Sequence, residues 1–239
     1  SVLGLGRTGI AVARFLAAHR VDVVASDSNM DVSTDVTDDL ASRGVEVVLG
    51  RNEVRPGDTV VISPGIPPHS GLFQRAMVVG AEVISEPELF SRVFRTPIVA
   101  VTGTDGKSTV TTWIAHILNE AGLRALAGGN LGNPLLGEKG LNKLDVAVPE
   151  ISAFQLVTTH TLKPVVAVVT NLAEDHLDYF EGDAEAYEAA KRKLVELCAA
   201  GSSVVLSGED EVLAGWDVPP GARRLESARD RSDRSDLAN

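Results

Sequence analysis

Cysteine, long apolar runs and basic residues are all scarce in this chain of 239 residues. The single cysteine, Cys198, cannot form an internal disulfide, which excludes a disulfide-stapled fold and suits a reducing compartment such as the cytoplasm. No apolar run approaches the ~18 residues of a membrane span, so we expect no membrane association. The opening segment SVLGLG has neither a basic start nor a cleavage site, so we also expect no signal peptide.

The charge balance is acidic, with 22 lysines and arginines against 33 aspartates and glutamates and a formal net charge of −11. Such a chain repels nucleic acid and anionic membranes, so we expect no nucleic-acid partner. If it binds a polyanion, it needs local devices such as helix N-termini and a few placed basic residues. Hydrophobic residues at 44% and charged residues at 23% are near the average for soluble globular proteins, which argues against disorder.

Short runs of valine and isoleucine alternate with amphipathic helical stretches along the chain. Strands without polar alternation are typical of sheets covered on both faces, so the pattern predicts an α/β fold with parallel sheets. The predicted strands are Val2–Leu5, Val21–Ser26, Val45–Leu49, Thr59–Ser63, Ala81–Ser85, Pro97–Thr102, Asp145–Val148, Val165–Thr170 and Ser203–Leu206. The predicted helices are Thr8–His19, Asp35–Arg43, Gly71–Gly80, Glu86–Arg95, Lys107–Ala121 and Ala184–Ala200.

The strand–helix series restarts after the predicted helix Glu86–Arg95, which ends before Thr96-Pro97. We therefore predict a Rossmann-like domain over residues 1–94 and a second domain over 95–239. The chain opens on Ser1 and closes on a charged segment, 221–239, with almost no apolar residue. We expect it to be either a fragment at both ends or only the ordered residues of a longer protein.

The first glycine loop, Gly4-Leu5-Gly6-Arg7-Thr8-Gly9, has the G-x-G-x-x-G pattern between a predicted strand and a predicted helix. Its glycines permit a tight turn, a close approach to a diphosphate and close helix–strand packing. Asp27 ends the second strand at about the distance expected for a ribose contact. The pattern indicates a nucleotide, and a dehydrogenase cofactor or a purely structural turn remain alternatives. Nothing further along the chain is typical of hydride transfer.

A second glycine loop runs from Gly103 to Thr109 and also follows a strand and opens a helix. Backbone N–H groups and the helix dipole favour a phosphate there. Lys107 can neutralise the β- and γ-phosphates, and the Ser108 hydroxyl can ligate Mg²⁺. The loop is shorter than a strict Walker A motif, because Val101 stands where that motif has its first glycine. A helix-capping turn is the structural alternative.

Five segments together resemble the Mur ligases and the folylpolyglutamate synthetases. They are Thr102–Thr109, Gly128–Gly132, Glu150–Leu156, Thr170–Asp178 and Ala189–Lys191. The opening glycine loop and Ser63–Ile66 are most similar to the branch that adds D-glutamate to UDP-N-acetylmuramoyl-L-alanine. The L-alanine-adding branch, a nucleotide-binding oxidoreductase and a binding module without turnover remain alternatives. Three residues depart from the family pattern: Asp105, Pro149 and Ala153.

The resemblance implies an ATP-dependent, ADP-forming carboxylate–amine ligase of peptidoglycan synthesis, working through an acyl phosphate. It implies a P-loop-type ATPase domain after the Rossmann-like one, a third, C-terminal domain absent from this sequence, two Mg²⁺ ions and a monomer. The implied catalytic residues are Lys107, Glu150, His176 and Lys191, with Ser108, Glu150, His176 and Lys191 as metal ligands and Lys191 carbamylated. The implied ATP-binding residues are Gly103, Thr104, Asp105, Gly106, Lys107, Ser108, Thr109 and Asn171. The implied UDP-substrate residues are Gly6, Arg7, Thr8, Asp27, Ser28, Ser63, Gly65, Asn130, Ser152 and Gln155.

Overall fold

The computed structural model describes residues 1–67, 69–175 and 177–227, and it contains two parallel sheets flanked by helices. The strands are β1 (Val2–Leu3), β2 (Val24–Asp27), β3 (Glu46–Leu49), β4 (Thr59–Ile62), β5 (Glu82–Ile84), β6 (Val99–Thr102), β7 (Ala125–Gly129), β8 (Val146–Glu150), β9 (Val166–Val169), β10 (Ser203–Ser207) and β11 (Arg223–Ser227). The helices are α1 (Arg7–Ala18), α2 (Thr34–Ser42), α3 (Gly71–Val78), α4 (Glu86–Val93), α5 (Lys107–Glu120), α6 (Ala153–Val157), α7 (Ala184–Glu196) and α8 (Glu211–Ala214). Every predicted strand and helix therefore has a counterpart.

The first sheet has the order β3-β2-β1-β4-β5, with every pair parallel. Strand β1 lies at its centre and is buried on both faces, as its uninterrupted apolar run predicts. The strand order reverses between β1 and β4, so the loops after these two strands form a crevice at one sheet edge. That position is where open α/β sheets bind ligands.

The second sheet has the order β11-β10-β9-β6-β8-β7 and is also parallel throughout. Strand β6 lies between β9 and β8, so the loop that follows it is flanked by the ends of both neighbours. The α/β class with a Rossmann-like sheet followed by a P-loop-type sheet is confirmed.

Two strands, β7 and β11, are not predicted by the sequence pattern, for different reasons. Strand β7 reads Ala-Leu-Ala-Gly-Gly, which lacks the β-branched residues that mark a strand. Strand β11 lies in the segment read as a charged tail, and its Arg and Glu side chains suit a sheet edge that faces water. Pro149 is accommodated inside β8, where it lies in register with Gly128.

Helix α4 is buried between the two sheets. Glu88 is fully buried, and its carboxylate accepts backbone hydrogen bonds from His160, Thr161 and Leu162 of the second sheet's loops. Burial opposes its ionisation, but these bonds, the Thr161 hydroxyl and Arg92 lower the pKa of Glu88 to about 2. The boundary predicted near residues 92–96 falls between α4 and β6. It stays a prediction, because one buried apolar cluster continues through both sheets.

No described helix combines the length and apolarity needed to cross a membrane.

Candidate active site

The loop after β6 is shaped to receive an anion. Gly103 has φ +138°, and a Cβ there would lie 2.0 Å from the Thr170 hydroxyl, so only glycine fits. Gly106 is left-handed and precedes α5, whose N-terminus has no side-chain cap. The N–H groups of the first helical turn therefore have no intrahelical partner and point, with the helix dipole, toward an incoming anion.

Three predicted side chains converge beside this loop. The Ser108 hydroxyl donates to Glu150 Oε2 at 2.7 Å, and Asn130 Nδ2 donates to Glu150 Oε1 at 2.8 Å. Glu150 ends β8 and is 2% exposed, so its orientation is fixed by these contacts. A hydroxyl and a carboxylate oxygen side by side have the hard-oxygen chemistry that Mg²⁺ prefers, so this pair fits the implied metal ligands.

Lys107 and Lys191 both donate to the phosphate loop itself. Lys107 Nζ donates to the Thr104 carbonyl at 2.6 Å, and Lys191 Nζ donates to the Gly103 carbonyl at 2.5 Å. Lys191 is 2% exposed on α7, and its Nζ lies 4.5 Å from the ring centre of Tyr187. Burial, helped by the positive charge of Lys107, lowers the pKa of Lys191 to about 7. Burial therefore favours the neutral, nucleophilic form of the Lys191 amine.

These groups surround one cavity of about 190 Å³. Its lining residues are Lys107, Asn130, Ser152, Ala153, Phe154, Asp175, Tyr187 and Lys191. Phe154 lines the cavity and is half-buried, and its ring stacks on that of Tyr179 with 3.7 Å between the ring centroids. The cavity is therefore lined by two lysines, one aspartate and two aromatic rings.

Other predicted residues form hydrogen bonds to the backbone around the cavity. Gln155 is 3% exposed, and its carboxamide oxygen accepts from the Ser152 backbone in a capping box that begins α6. Asn171 hydrogen bonds to the backbone of the phosphate loop. His176 lies outside the described residues. Among the described residues, no group of three or more His, Cys, Asp and Glu side chains is placed to hold a metal ion.

Tyr187 is a site residue that the sequence reading missed. It is 3% exposed, its hydroxyl lies 3.2 Å from the Thr104 hydroxyl, and its ring lies under the Lys191 ammonium. Its spacing of four residues from Lys191 puts both side chains on one face of α7, which is the signal that could have identified it.

The loop after β1 has the tight turn and the close helix–strand packing that its glycines predict. Gly4 has φ +88°, and a Cβ on Gly9 would lie 1.8 Å from the Gly4 carbonyl oxygen. Gly6 precedes α1, which begins without a side-chain cap. Asp27 accepts from the Leu5 backbone N–H at 2.6 Å, so one of its oxygens holds this loop in place.

The substrate residues predicted around this loop fall into two groups. Ser63 follows β4 and lies against Gly4, at the crevice where the strand order reverses. Arg7 is exposed and reaches toward Gly132, so the first glycine loop lies beside the loop after β7. Ser28 and Gly65 are exposed, and Thr8 is half-buried.

The family models match both parts of the chain. The Mur ligase middle domain matches residues 101–221, and the Mur ligase MurD-like N-terminal domain matches residues 1–85. The chain belongs to the Mur ligase family.

Two curated relatives carry the same name, UDP-N-acetylmuramoylalanine--D-glutamate ligase. The protein from Geobacter metallireducens is 41% identical over 219 residues, covering 90% of this chain and 48% of that protein. The one from Pelotomaculum thermopropionicum is 41% identical over 221 residues, covering 89% and 48%. The chain thus spans about half the length of the curated relatives it matches.

A solved structure shares the fold. It is the UDP-N-acetylmuramate:L-alanyl-gamma-D-glutamyl-meso-diaminopimelate ligase from Neisseria meningitides, with a TM-score of 0.61, 19% identity and coverage of 94% of this chain and 76% of that chain.

Proposed function

We propose that this chain supplies the UDP-substrate domain (1–94) and the ATP domain (95–239) of a ligase that joins UDP-N-acetylmuramoyl-L-alanine to D-glutamate, with ATP converted to ADP and phosphate. The observation that carries the proposal is the cavity lined by both Lys107 of the phosphate loop and Lys191. The hydrogen-bonded pair Ser108 and Glu150 lies close to it. The identity of about 41% to ligases of that name supports the choice of substrates.

The reaction needs an activated carboxylate, because a carboxylate is a poor electrophile. The alanyl carboxylate oxygen attacks the γ-phosphorus, the new O–P bond forms, and the bond to the ADP oxygen breaks. The amine of D-glutamate then attacks the acyl carbon, phosphate leaves and the amine loses a proton. Both reactants of the first step are anions, so Lys107 and the first-turn N–H groups of α5 would neutralise and align the transferring phosphoryl group.

Mg²⁺ would supply further charge neutralisation when bound, and Ser108 and Glu150 have the oxygen chemistry to hold one ion. We assign a second ion to His176 and Lys191. An ammonium cannot ligate a cation. The neutral Lys191 amine would therefore first form an N–C bond to CO₂ and release one proton to water, which leaves a carbamate anion. Its burial and its lowered pKa, about 7 with desolvation as the main cause, support that reaction because the neutral amine is the reactive form.

The loop after β1 would bind the UDP diphosphate over the uncapped N-terminus of α1. Arg7 would add a positive charge, and Asn130 would reach the sugar-linked part from the other sheet. We propose a monomer in the bacterial cytoplasm, where ATP and the UDP-linked precursor are available. The acidic charge of −11 supports the absence of a nucleic-acid partner.

The test is ATP-dependent phosphate release by the full-length gene product. Release should require both UDP-N-acetylmuramoyl-L-alanine and D-glutamate, and Lys107→Ala should lower the rate at least ~10²-fold, the range typical of losing one transition-state donor. Release with UDP-N-acetylmuramate and L-alanine instead would favour the L-alanine-adding branch. Tight calorimetric binding of NAD⁺, with no binding of the UDP substrate, would refute the proposal.

A further inference from the structure

Asn171 uses both ends of its side-chain amide on the phosphate loop. Its Oδ1 accepts from the Asp105 N–H at 2.8 Å and from the Thr104 N–H at 3.2 Å. Its Nδ2 donates to the Asp105 carbonyl at 3.2 Å. The backbone carbonyl of Asn171 is a second acceptor for the Thr104 N–H, at 3.0 Å. One side chain therefore fixes three successive peptide units of the loop.

The neighbouring Thr170 adds side-chain hydrogen bonds to the same loop. Its hydroxyl donates to the Asp105 carbonyl at 2.6 Å and approaches the Thr102 carbonyl at 3.3 Å. Asp105 is itself exposed, yet both its N–H and its C=O are held by the strand end after β9. These hydrogen bonds use only the backbone of Asp105. The loop backbone is therefore held in the same way although Asp105 departs from the family pattern.

These bonds also decide which N–H groups can meet a phosphate. The N–H groups of Thr104 and Asp105 are aimed at Asn171 and are already paired. Those left for an anion begin at Gly106 and continue into the first turn of α5. The two lone pairs of Asn171 Oδ1 are both used, and Nδ2 has a single remaining hydrogen.

We propose that Asn171 is a positioning residue that presets the phosphate loop, rather than a residue that contacts ATP as the family resemblance implies. The loop is then ordered before nucleotide arrives, so less conformational entropy is lost on binding. The inference rests on the proposed function for the identity of the anion, ATP. The hydrogen bonds from Asn171 and Thr170 to the loop are present in the chain without ligand.

The test compares two adjacent backbone amides by hydrogen exchange in the full chain without nucleotide. In Asn171→Ala the Asp105 N–H loses its partner, and its exchange should accelerate about tenfold, the equivalent of about one hydrogen bond. The Thr104 N–H keeps the backbone carbonyl of residue 171, so it should change less than about twofold. Asn171→Asp retains an acceptor oxygen and should keep the Asp105 N–H protected.

Titration with Mg-ATP completes the test. Asn171→Ala should weaken Mg-ATP about tenfold and leave the affinity for UDP-N-acetylmuramoyl-L-alanine unchanged. Weaker Mg-ATP binding with unchanged exchange at Asp105 would mean a direct contact and would overturn the inference. Faster exchange in a chain whose unmodified form does not bind Mg-ATP would instead refute the proposed function while the positioning role stands.

A second pair of variants serves if Asn171→Ala does not fold. Thr170→Val removes the donor to the Asp105 carbonyl, whereas Thr170→Ser retains it. The valine variant should bind Mg-ATP about fivefold more weakly than the serine variant, as expected for one lost hydrogen bond. Equal affinities in the two variants would overturn the inference.

Discussion

Burying a lysine ammonium is costly unless the amine loses its proton or its charge is compensated. Lys191 is 2% exposed, and the ammonium of Lys107 adds a like charge to its surroundings. The burial that an ordinary structural lysine would avoid is therefore the property that a carbamate-forming lysine needs.

We predict that Lys191→Arg lowers the ligase rate at least ~10²-fold although the positive charge is kept, because arginine cannot form a carbamate. Lys163→Arg, at an exposed position, is the control and should keep the rate. The amine is protonated below its pKa of about 7, a value set mainly by burial, so carbamate formation should fall as pH drops through 7. Removing CO₂ should then slow the unmodified enzyme and bicarbonate should restore it. An arginine variant with near-normal rate would refute the carbamate.

A second residue-scale prediction concerns the glycine that packs α1 against β1. A Cβ at Gly9 would lie 1.8 Å from the Gly4 carbonyl oxygen, so Gly9→Ala must displace the backbone of the loop after β1. We expect a loss of at least about 2 kcal/mol in the free energy of unfolding, together with weaker UDP-substrate binding.

Gly71→Ala is the matched control, because nothing lies within 4 Å of its added methyl at the start of α3. It should be neutral or slightly stabilising, since alanine loses less backbone entropy than glycine. Thermal unfolding and calorimetry of both variants decide the matter, and equal stabilities would contradict the close packing.

At the scale of the element, α4 carries two buried carboxylates in opposite electrostatic situations. Glu88 receives several hydrogen bonds and stays ionised. Glu86 has one oxygen that accepts from the Leu136 N–H at 2.8 Å, while its other oxygen is buried with no hydrogen-bond partner among the described residues. Burial raises the pKa of Glu86 to about 7, against its usual value near 4.5. The helix thus joins the two sheets through one anionic carboxylate and one whose ionisation is opposed by burial.

The raised pKa of Glu86 predicts a pH-dependent stability. Between pH 4.5 and 7 the folded chain binds more protons at Glu86 than the unfolded chain does, so this group's contribution falls as pH rises through that window. Glu86→Gln keeps the acceptor for Leu136 and removes the ionisation. From pH 5 to pH 8 the variant should gain up to about 3 kcal/mol relative to the unmodified chain in denaturant unfolding. The exposed Glu120→Gln should show no such trend. A gain for Glu86→Gln that does not depend on pH would contradict this assignment.

The elements that the sequence predicts are those whose local pattern matches their burial. Helix α5 and strand β6 were predicted to within three residues because an apolar run, a glycine loop and an amphipathic stretch follow one another. Strand β7 could not be predicted, because its small residues have low strand propensity and instead allow β8 to pack closely against it. A Cβ at Gly129 would lie 2.5 Å from the Glu150 carbonyl oxygen. The strand exists through its partner β8 rather than through its own propensity.

The candidate site shows the same division. Residue types and spacing predicted phosphate-loop roles for Lys107 and Ser108, and the family resemblance added Glu150 and Lys191. The structure brings all four to one edge of the second sheet. The bracing role of Asn171 was not predictable, because it depends on which way a side chain turns at the end of a strand 66 residues further along the chain. Hydrogen bonds of that kind are tertiary and leave no local pattern.

At the scale of the whole molecule, the two sheets are joined at several separate places. The Tyr179 hydroxyl donates to the Ile66 carbonyl at 2.9 Å, and the Ser85 N–H donates to the Thr158 carbonyl at 2.9 Å. Together with the carboxylates of α4, these bonds tie the loops of one sheet to the other. The crevice proposed for the UDP substrate and the cavity beside the phosphate loop are thereby held at a set separation, which a reaction between two bound substrates requires.

The purely parallel pairing of the strands also shapes how this chain must fold. The ladder with the shortest sequence separation pairs Ser203 with Arg223, so no described ladder closes through a tight hairpin. Each ladder needs a long loop to close before any of its hydrogen bonds form, and that entropic cost comes first. Folding should therefore be slow compared with a helical bundle of equal size. During that interval the apolar central strands are exposed to pairing with other copies, so refolding yield should fall as protein concentration rises.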